Sequence, residues 1–149
     1  MTANGMPPYY GKDVTWKSAV YLNYLSAYME KGPEITNSGY HTMRDMLSPE
    51  YGIMDSINYL RGVIDTFNQV YPQLYDIDLR KKYTKLKIPI YFFLGRHDAN
   101  APVALTQQYY DCLETSSKSI VWFEHSGHSP WLNENEFFVS QTIQVLLGK

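Results

Sequence analysis

Residues 88–132, IPIYFFLGRHDANAPVALTQQYYDCLETSSKSIVWFEHSGHSPWL, decide the fold of this 149-residue chain. Two short runs, residues 88–94 and 119–123, are so rich in branched and aromatic side chains that they predict buried strands. Residues 102–113 between them have the length and apolar spacing of one helix, and Pro102 suits its first position. A strand, a helix and a second strand in this order predict a parallel crossover unit.

Polar residues follow both predicted strands at the point where each strand ends. Asp98 comes just after the first strand, and His128 just after the second. Because parallel strands end at the same edge of a sheet, where ligands of open α/β sheets bind, the two side chains are expected to converge. A carboxylate that bonds one imidazole nitrogen fixes the tautomer and leaves the other nitrogen free to act as a base. The pair therefore predicts two thirds of a nucleophilic triad.

Simpler interpretations of these residues exist. HDANAP is rich in residues that favour turns, so Asp98 could serve a turn alone. A zinc site could be formed by four side chains, His97, Asp98, His125 and His128. The paired pattern at two strand ends favours the catalytic pair, with no metal. Two neighbours are predicted to be structural, Arg96 as the partner of a carboxylate and Trp131 as a wall of the core or of a pocket.

At these residues the chain resembles the α/β-hydrolase family, and within it the proline iminopeptidase-like branch. The matching motifs are G-R-H-D at residues 95–98 and S-G-H-S at residues 126–129, each after a predicted strand and followed by a final helix. The chain order in that family is nucleophile, acid, histidine. The resemblance therefore implies that Asp98 is the triad acid and His128 the triad histidine of a hydrolase that needs no cofactor.

The nucleophile of such a triad is missing from these 149 residues. The family holds its serine in G-x-S-x-G at a strand-to-helix turn, and that pentapeptide does not occur in the chain. Ser129 directly follows the histidine and is expected to point elsewhere. We therefore expect the chain to be the lid and carboxyl-terminal portion of a serine hydrolase whose amino-terminal half lies outside it, and to be inactive alone.

The predicted architecture is an incomplete α/β fold in two regions. Residues 1–75 are predicted to form a helical region that resembles the family's lid, and residues 76–149 the carboxyl-terminal βαβα part of the hydrolase sheet. The helices expected outside the crossover are residues 13–30, 40–47, 49–70 after a Ser48 cap and before Pro72, and a last one capped by Asn133. Residues 76–87 are predicted to be a solvated connector.

Apolar spacing also predicts which helix faces are buried. The first helix has two stripes and is expected to pack on both sides, the first stripe being Trp16, Val20, Tyr24 and Tyr28, the second Leu22, Leu25 and Met29. The long helix has one apolar face, formed by Ile53, Ile57, Leu60, Ile64 and Phe67. The last helix is expected to pack on the sheet through Val139, Ile143, Leu146 and Leu147, and Phe138 and Val145 are expected to widen this face.

Composition excludes several classes of function. A net charge of -2 with mixed signs provides no basic field for nucleic acid or an anionic membrane. Cys112 is the single cysteine, which excludes an internal disulfide and a cysteine-based zinc site. No stretch reads as a signal peptide or as the roughly 20 apolar residues of a membrane span, so a cytoplasmic location is predicted.

Partners follow from the same hypotheses. The resemblance implies a small-molecule or peptide substrate with a free amino end, held by lid carboxylates for which Glu30, Glu34 and Glu50 are available. A parallel sheet of two strands leaves an apolar edge bare, which predicts a homodimer or association with the amino-terminal half. The alternative function is a self-associating, non-catalytic interaction module derived from a hydrolase.

Overall fold

The computed structural model describes residues 14–32, 35 and 42–148. In chain order the elements of this part are α1 (Val14–Met29), α2 (Thr42–Met46), α3 (Ile53–Asp65), a π-helical turn (Thr66–Val70), α4 (Tyr71–Leu74), α5 (Leu79–Lys82), β1 (Ile90–Gly95), α6 (Val103–Cys112), β2 (Lys118–Phe123), α7 (Pro130–Asn133) and α8 (Asn135–Leu147). The described residues divide into two compact units, 14–24 with 42–77, and 25–32 and 35 with 78–148. No helix within these ranges combines the length and the apolarity needed to cross a bilayer.

The sheet of the second unit consists of β1 and β2 in the described part of the chain, and the two strands are parallel. Their register pairs Ile90 with Lys118 and Gly95 with Phe123. With α6 between the strands, this is the predicted crossover, and the mixed helix and strand content is compatible with a partial α/β fold. β1 begins two residues later than predicted because Pro89 has no N–H to donate to a ladder.

The prediction that both strands are buried is wrong. Only their last residues, Gly95 and Phe123, are buried, and the other residues of both strands are partly or largely exposed. The reason is that each strand has one neighbouring strand in the described part, so that its other edge and part of its faces remain open.

Aromatic rings form the core of the second unit. Phe123 is fully buried, and its ring lies 5.6 Å from that of Phe93. Phe138 of α8 packs on both, with ring centroids 5.4 Å from Phe93 and 5.8 Å from Phe123. α8 therefore packs on the sheet as expected, and it does so through Phe138 at the margin of the predicted face, because aromatic side chains bury the largest apolar area. Four residues predicted to be buried are exposed: Val139, Ile143, Leu146 and Leu147.

The start of the last helix also differs from the prediction. Asn133 does not cap it, because residues Pro130–Asn133 form the short helix α7 and α8 begins at Asn135. Glu134 lies between the two helices and continues the hydrogen bonding, since its N–H donates to the Pro130 carbonyl at 2.9 Å. The side chain of Glu134 is thereby left to contact other parts of the chain.

The long helix of the first unit begins later than predicted. Ser48 and Pro49 lie in a turn in which the Ser48 carbonyl accepts the Tyr51 N–H at 2.9 Å. The N-cap of α3 is Gly52, whose N–H donates to Asp55 Oδ2 at 2.9 Å. The carboxylate three residues into the helix therefore satisfies the backbone at its start, and Ser48 is not the cap.

Pro72 does not end this helix. It lies in the first turn of α4, and the residues at the junctions with α3 and the π-helical turn keep helical dihedral angles. A proline ring normally clashes with the carbonyl four residues earlier. The wider π-helical turn, in which the Tyr71 N–H donates to the Thr66 carbonyl, relieves that clash and lets the chain continue.

Two predicted apolar faces are not buried. On α3, Ile53 is 82% exposed and the other aliphatic residues of the stripe are also exposed, whereas Phe67 in the π-helical turn is buried. On α1, Trp16, Tyr24 and Tyr28 are exposed while Met29 of the second stripe is buried. Spacing identifies an apolar stripe, but burial requires a neighbouring element to cover it. The predicted caps or starts at Asp13 and Tyr40 lie outside the described residues.

The segment predicted to be a solvated connector contains one helical turn, α5. Asp78 is its N-cap and accepts the Arg80 N–H at 3.1 Å, and the Arg80 guanidinium lies 2.8 Å from the same carboxylate. These hydrogen bonds lower the pKa of Asp78 to about 2. Short caps of this kind stabilise single turns that apolar spacing does not reveal.

Candidate active site

Two loops meet at the carboxyl end of the sheet. The acid loop, residues 96–101, follows β1, and the histidine loop, residues 124–129, follows β2. Backbone hydrogen bonds join them: the Arg96 N–H donates to the Phe123 carbonyl at 2.9 Å, and the His97 N–H donates to the Ser126 carbonyl at 3.0 Å. The pairing of the two strands thus continues into the loops and holds them together.

A glycine permits the close contact at the base of the loops. A Cβ atom on Gly95 would lie 1.9 Å from the Gly127 carbonyl oxygen and 2.6 Å from that of Ser126. Both are backbone atoms, which cannot rotate out of the way as a side chain can. The glycine of G-R-H-D is therefore required by the packing of the histidine loop against the end of β1.

Asp98 uses its two carboxylate oxygens for different contacts. Oδ1 accepts the N–H groups of Asn100 and Ala101 at 2.8 and 2.9 Å, which closes the turn of the acid loop. Oδ2 lies 2.9 Å from Nδ1 of His128. The turn interpretation and the acid interpretation of Asp98 are thus compatible, because each concerns one oxygen.

His128 is oriented by Asp98. An ionised carboxylate only accepts hydrogen bonds, so Nδ1–H of His128 donates to Asp98, and in the neutral ring the lone pair lies on Nε2. The Asp98 side chain is 12% exposed and that of His128 is 37% exposed. The hydrogen bond to Asp98 raises the pKa of His128 above its ordinary value, with partial burial acting in the opposite direction. The structure therefore brings the two predicted residues together as an acid–imidazole pair.

Glu134 was missed by the sequence analysis. Its Oε2 accepts the backbone N–H of His125 at 3.1 Å and the hydroxyl of Ser126 at 2.5 Å. Both partners precede His128, whereas Glu134 follows it. The available signal was an acidic residue shortly after the motif, and such residues are usually assigned to helix capping.

Ser126 and Ser129 lie on either side of His128 in the sequence, and both are fully buried. Ser126 donates to Glu134, whereas the Ser129 hydroxyl has no hydrogen-bond partner among the described residues. The Ser129 carbonyl accepts the N–H groups of Leu132 and Asn133 at 3.0 and 3.3 Å, which starts α7. Ser129 thus marks the end of the histidine loop.

The end of α1 covers both loops. The Ala99 N–H points to Sδ of Met29 at 3.3 Å, and a Cβ atom on Gly127 would lie 3.2 Å from the same sulfur. Met29 and Ile35 are each at most 5% exposed. Apolar side chains therefore shield the side of the loops that faces this helix.

Arg96 and Trp131, the two neighbours predicted to be structural, differ in their contacts. Arg96 forms a bidentate ion pair with Glu124, at 2.9 and 2.6 Å, and stacks on the Trp122 ring at 3.7 Å, so its predicted structural role is confirmed. The pair lowers the pKa of Glu124. Trp131 is 49% exposed, and its ring centroid lies 6.4 Å from that of Phe138 in an edge-to-face arrangement.

The side chains around the histidines do not form a metal site in the described part of the chain. His97 and His125 are both exposed. Within residues 14–32, 35 and 42–148, no three His, Cys, Asp or Glu side chains are grouped so as to hold a metal ion. Of the three candidate lid carboxylates, Glu34 lies outside the described residues, and Glu50 lines an open pocket of the first unit.

Known proteins similar to this chain are hydrolases by name. The chain is 28% identical over 116 residues to a probable aminopeptidase, YbaC, of Bacillus subtilis (strain 168), an alignment that covers 72% of this chain and 36% of that protein. It is 36% identical over 71 residues to a pimeloyl-[acyl-carrier protein] methyl ester esterase of Pseudoalteromonas atlantica, with 48% and 27% covered. A protein of the same name from Aliivibrio fischeri (strain MJ11) is 37% identical over 68 residues, with 46% and 26% covered.

The similarity is partial in two respects. The chain spans about a quarter to a third of the length of these curated relatives. No family profile matches it, and no solved structure does. The relatives suggest an α/β-hydrolase family at low identity, and they support descent of this chain from a hydrolase.

Proposed function

We propose that this chain is the carboxyl-terminal portion of a serine hydrolase of the proline iminopeptidase-like branch, with a helical lid in residues 1–75 and the end of the catalytic domain in residues 76–149. Asp98 and His128 are the acid and the base of its triad. The observation that carries the proposal is the 2.9 Å hydrogen bond between Asp98 Oδ2 and His128 Nδ1 at the carboxyl edge of a parallel sheet. The hydrolase names of the relatives support it independently.

The mechanism is acyl transfer with a serine supplied by the amino-terminal portion. The serine oxygen attacks the substrate carbonyl while Nε2 of His128 takes its proton, and Asp98 stabilises the imidazolium that forms. The imidazolium then gives this proton to the leaving amine or alcohol, and the bond between the carbonyl and the leaving group breaks. Water then attacks the carbonyl of the acyl-enzyme while Nε2 of His128 takes its proton. The proton passes to the serine oxygen as the acyl–serine bond breaks, and the carboxylic acid is released. Without the serine, the chain alone does not turn over substrate.

The names of the relatives indicate two possible substrate classes, an amide and an ester. One name specifies an aminopeptidase and the others a methyl ester esterase, and both reactions use the same acyl chemistry. We favour a peptide or amide with a free amino end, because the alignment with the aminopeptidase covers more of this chain than the alignments with the esterases.

A hybrid enzyme tests this function. This chain replaces the aligned segment of the Bacillus subtilis relative, and hydrolysis of amino-acyl p-nitroanilides and p-nitrophenyl esters is measured. We expect turnover in the hybrid, and a decrease in kcat of about 10⁴-fold in Asp98→Asn and of about 10⁶-fold in His128→Gln. Asp111→Asn, an exposed carboxylate of α6, is the control and should keep the activity. A folded hybrid without turnover, or one whose activity survives His128→Gln, would refute the proposal.

The second candidate function is a self-associating module that no longer catalyses. Two features of the described part of the chain favour it, the open edges of the sheet and the exposed aliphatic faces of α3 and α8. In this case the Asp98–His128 pair is retained as part of the scaffold, and the hybrid is inactive even though it folds.

A further inference from the structure

Glu134 connects the two sides of the histidine loop. It lies six residues after His128, yet its carboxylate accepts hydrogen bonds from His125 and Ser126, which precede the histidine. The Ser126 side chain is fully buried, so its hydroxyl depends on this partner for satisfaction. These hydrogen bonds join the two ends of the segment 125–134, and His128 lies within the loop that they close.

The hydrogen bonding continues from Ser126 to the acid loop. The Ser126 carbonyl accepts the N–H of His97, the residue directly before Asp98. The same carbonyl is one of the two atoms that leave no room for a Cβ on Gly95. Because packing at this point is so close, a shift of Ser126 cannot be absorbed locally and must change the approach of His128 to Asp98.

Glu134 is itself firmly anchored. Its N–H donates to the Pro130 carbonyl at 2.9 Å, and its carbonyl accepts the Phe138 N–H at 2.8 Å. Phe138 packs on the rings of Phe93 and Phe123, one from each strand. The backbone of Glu134 is therefore fixed, through Phe138, to the same sheet whose strands precede the two loops.

We propose that Glu134 is a positioning residue, whose carboxylate holds Ser126 and thereby fixes the distance between His128 Nδ1 and Asp98 Oδ2. Its importance for turnover rests on the proposed function. Its effect on the geometry of the pair does not, and that effect can be measured in the 149-residue chain itself.

The test compares Glu134→Leu with Glu134→Gln by NMR of the His128 ring. Leucine removes the oxygen that accepts both hydrogen bonds, so we expect the Nδ1–H signal of the pair to broaden or disappear and the pKa of His128 to fall towards its ordinary value. Glutamine keeps a carbonyl oxygen that can accept both hydrogen bonds. This variant should therefore retain the Nδ1–H signal and most of the increase in the His128 pKa. Glu136→Leu, an exposed neighbour at the start of α8, is the matched control and should leave both unchanged.

A purely structural role would lower the melting temperature of Glu134→Leu without changing the His128 signal of the folded protein, and that result would overturn the proposal. If Glu134→Leu does not fold, Ser126→Ala replaces it. That variant removes one of the two hydrogen bonds and should lower the His128 pKa in the same direction. An unchanged His128 pKa in folded Ser126→Ala would equally overturn the proposal.

The hybrid enzyme separates this inference from the proposed function. There, Glu134→Leu should lower kcat on the order of 10²-fold with KM nearly unchanged, because misplacement of a base affects the chemical step. An inactive hybrid whose His128 signal still responds to Glu134→Leu would refute the function and keep the positioning role. An active hybrid whose kcat is insensitive to Glu134→Leu would keep the proposed function and refute the positioning role.

Discussion

A single carboxylate, Asp98, combines a local and a long-range task. Its Oδ1 closes the turn of the acid loop through two backbone N–H groups, and its Oδ2 accepts Nδ1–H of a histidine from the next loop. The turn therefore restricts the orientation of the carboxylate independently of its contact with the histidine. Such preorganisation lowers the entropic cost of orienting the imidazole.

The substitution Asp98→Asn separates these tasks. Its amide oxygen can still close the turn, but its NH₂ group cannot accept Nδ1–H, so we expect the pKa of His128 to fall towards 6.5 or below. NMR titration of the His128 ring measures this change. Asp111→Asn is the control, and equal His128 titration in both variants would show that Asp98 does not orient the ring.

The same substitution has a predictable pH dependence. The pKa of His128 is raised in the folded chain, so the interaction of its protonated ring with Asp98 stabilises the fold below about pH 6.5. This contribution is lost as the pH rises through the raised pKa. The difference in unfolding free energy between wild type and Asp98→Asn should therefore be larger at pH 5.5 than at pH 9.

At the scale of elements, the end of β1 and the histidine loop are in backbone contact. The contact depends on Gly95, where a Cβ atom would lie 1.9 Å from a carbonyl oxygen of the other loop. Strand pairing brings the two loops to the same edge, and this glycine determines how closely they approach. The acid–imidazole distance is consequently a property of the whole crossover unit.

We expect Gly95→Ala to lower the unfolding free energy by about 3 kcal/mol or more, since the backbone around it must move to make room. Urea denaturation followed by circular dichroism measures the effect. Gly62→Ala in α3 is the matched control, because nothing lies within 4 Å of its Cβ position and alanine is the better helix former. That variant should be stabilised by about 0.5–1 kcal/mol. Equal stability of the two variants would contradict the contact.

At the scale of the whole molecule, the apolar surface is incompletely covered. The described part of the sheet has two open edges, and large aliphatic residues of α3 and α8 are exposed. A two-stranded sheet is marginal by itself in water, and exposed apolar faces favour association. Either a second copy or an amino-terminal portion would cover such surfaces.

Analytical ultracentrifugation of the 149-residue chain tests the first possibility. We expect concentration-dependent self-association that is maintained or strengthened at 1 M sodium sulfate, because apolar association is favoured by this salt whereas ion pairs are screened. If the proposed function is right, the amino-terminal portion of the hybrid enzyme extends the sheet, and the hybrid should associate less. A well-folded chain that stays monomeric at every concentration would rule out association through these surfaces.

The sequence by itself determined the crossover unit and its two loops. Short branched and aromatic runs, Pro102 before a helical spacing, and the placement of Asp98 and His128 after the strands are local patterns, and they were sufficient to predict that the pair converges. The parallel register then placed the two side chains 2.9 Å apart. Local pattern sufficed here because parallel strands necessarily end at the same edge.

Tertiary structure alone decided which faces are buried and what holds the pair. The stripe on α3 and the aliphatic face of α8 were correctly recognised as apolar but wrongly expected to be buried, because burial depends on which element packs against them. The contact of Glu134 with Ser126 and the approach of Gly95 to Gly127 join residues that have no periodic relation. Such contacts exist only after the strands have paired, so no reading of the chain in order could reveal them.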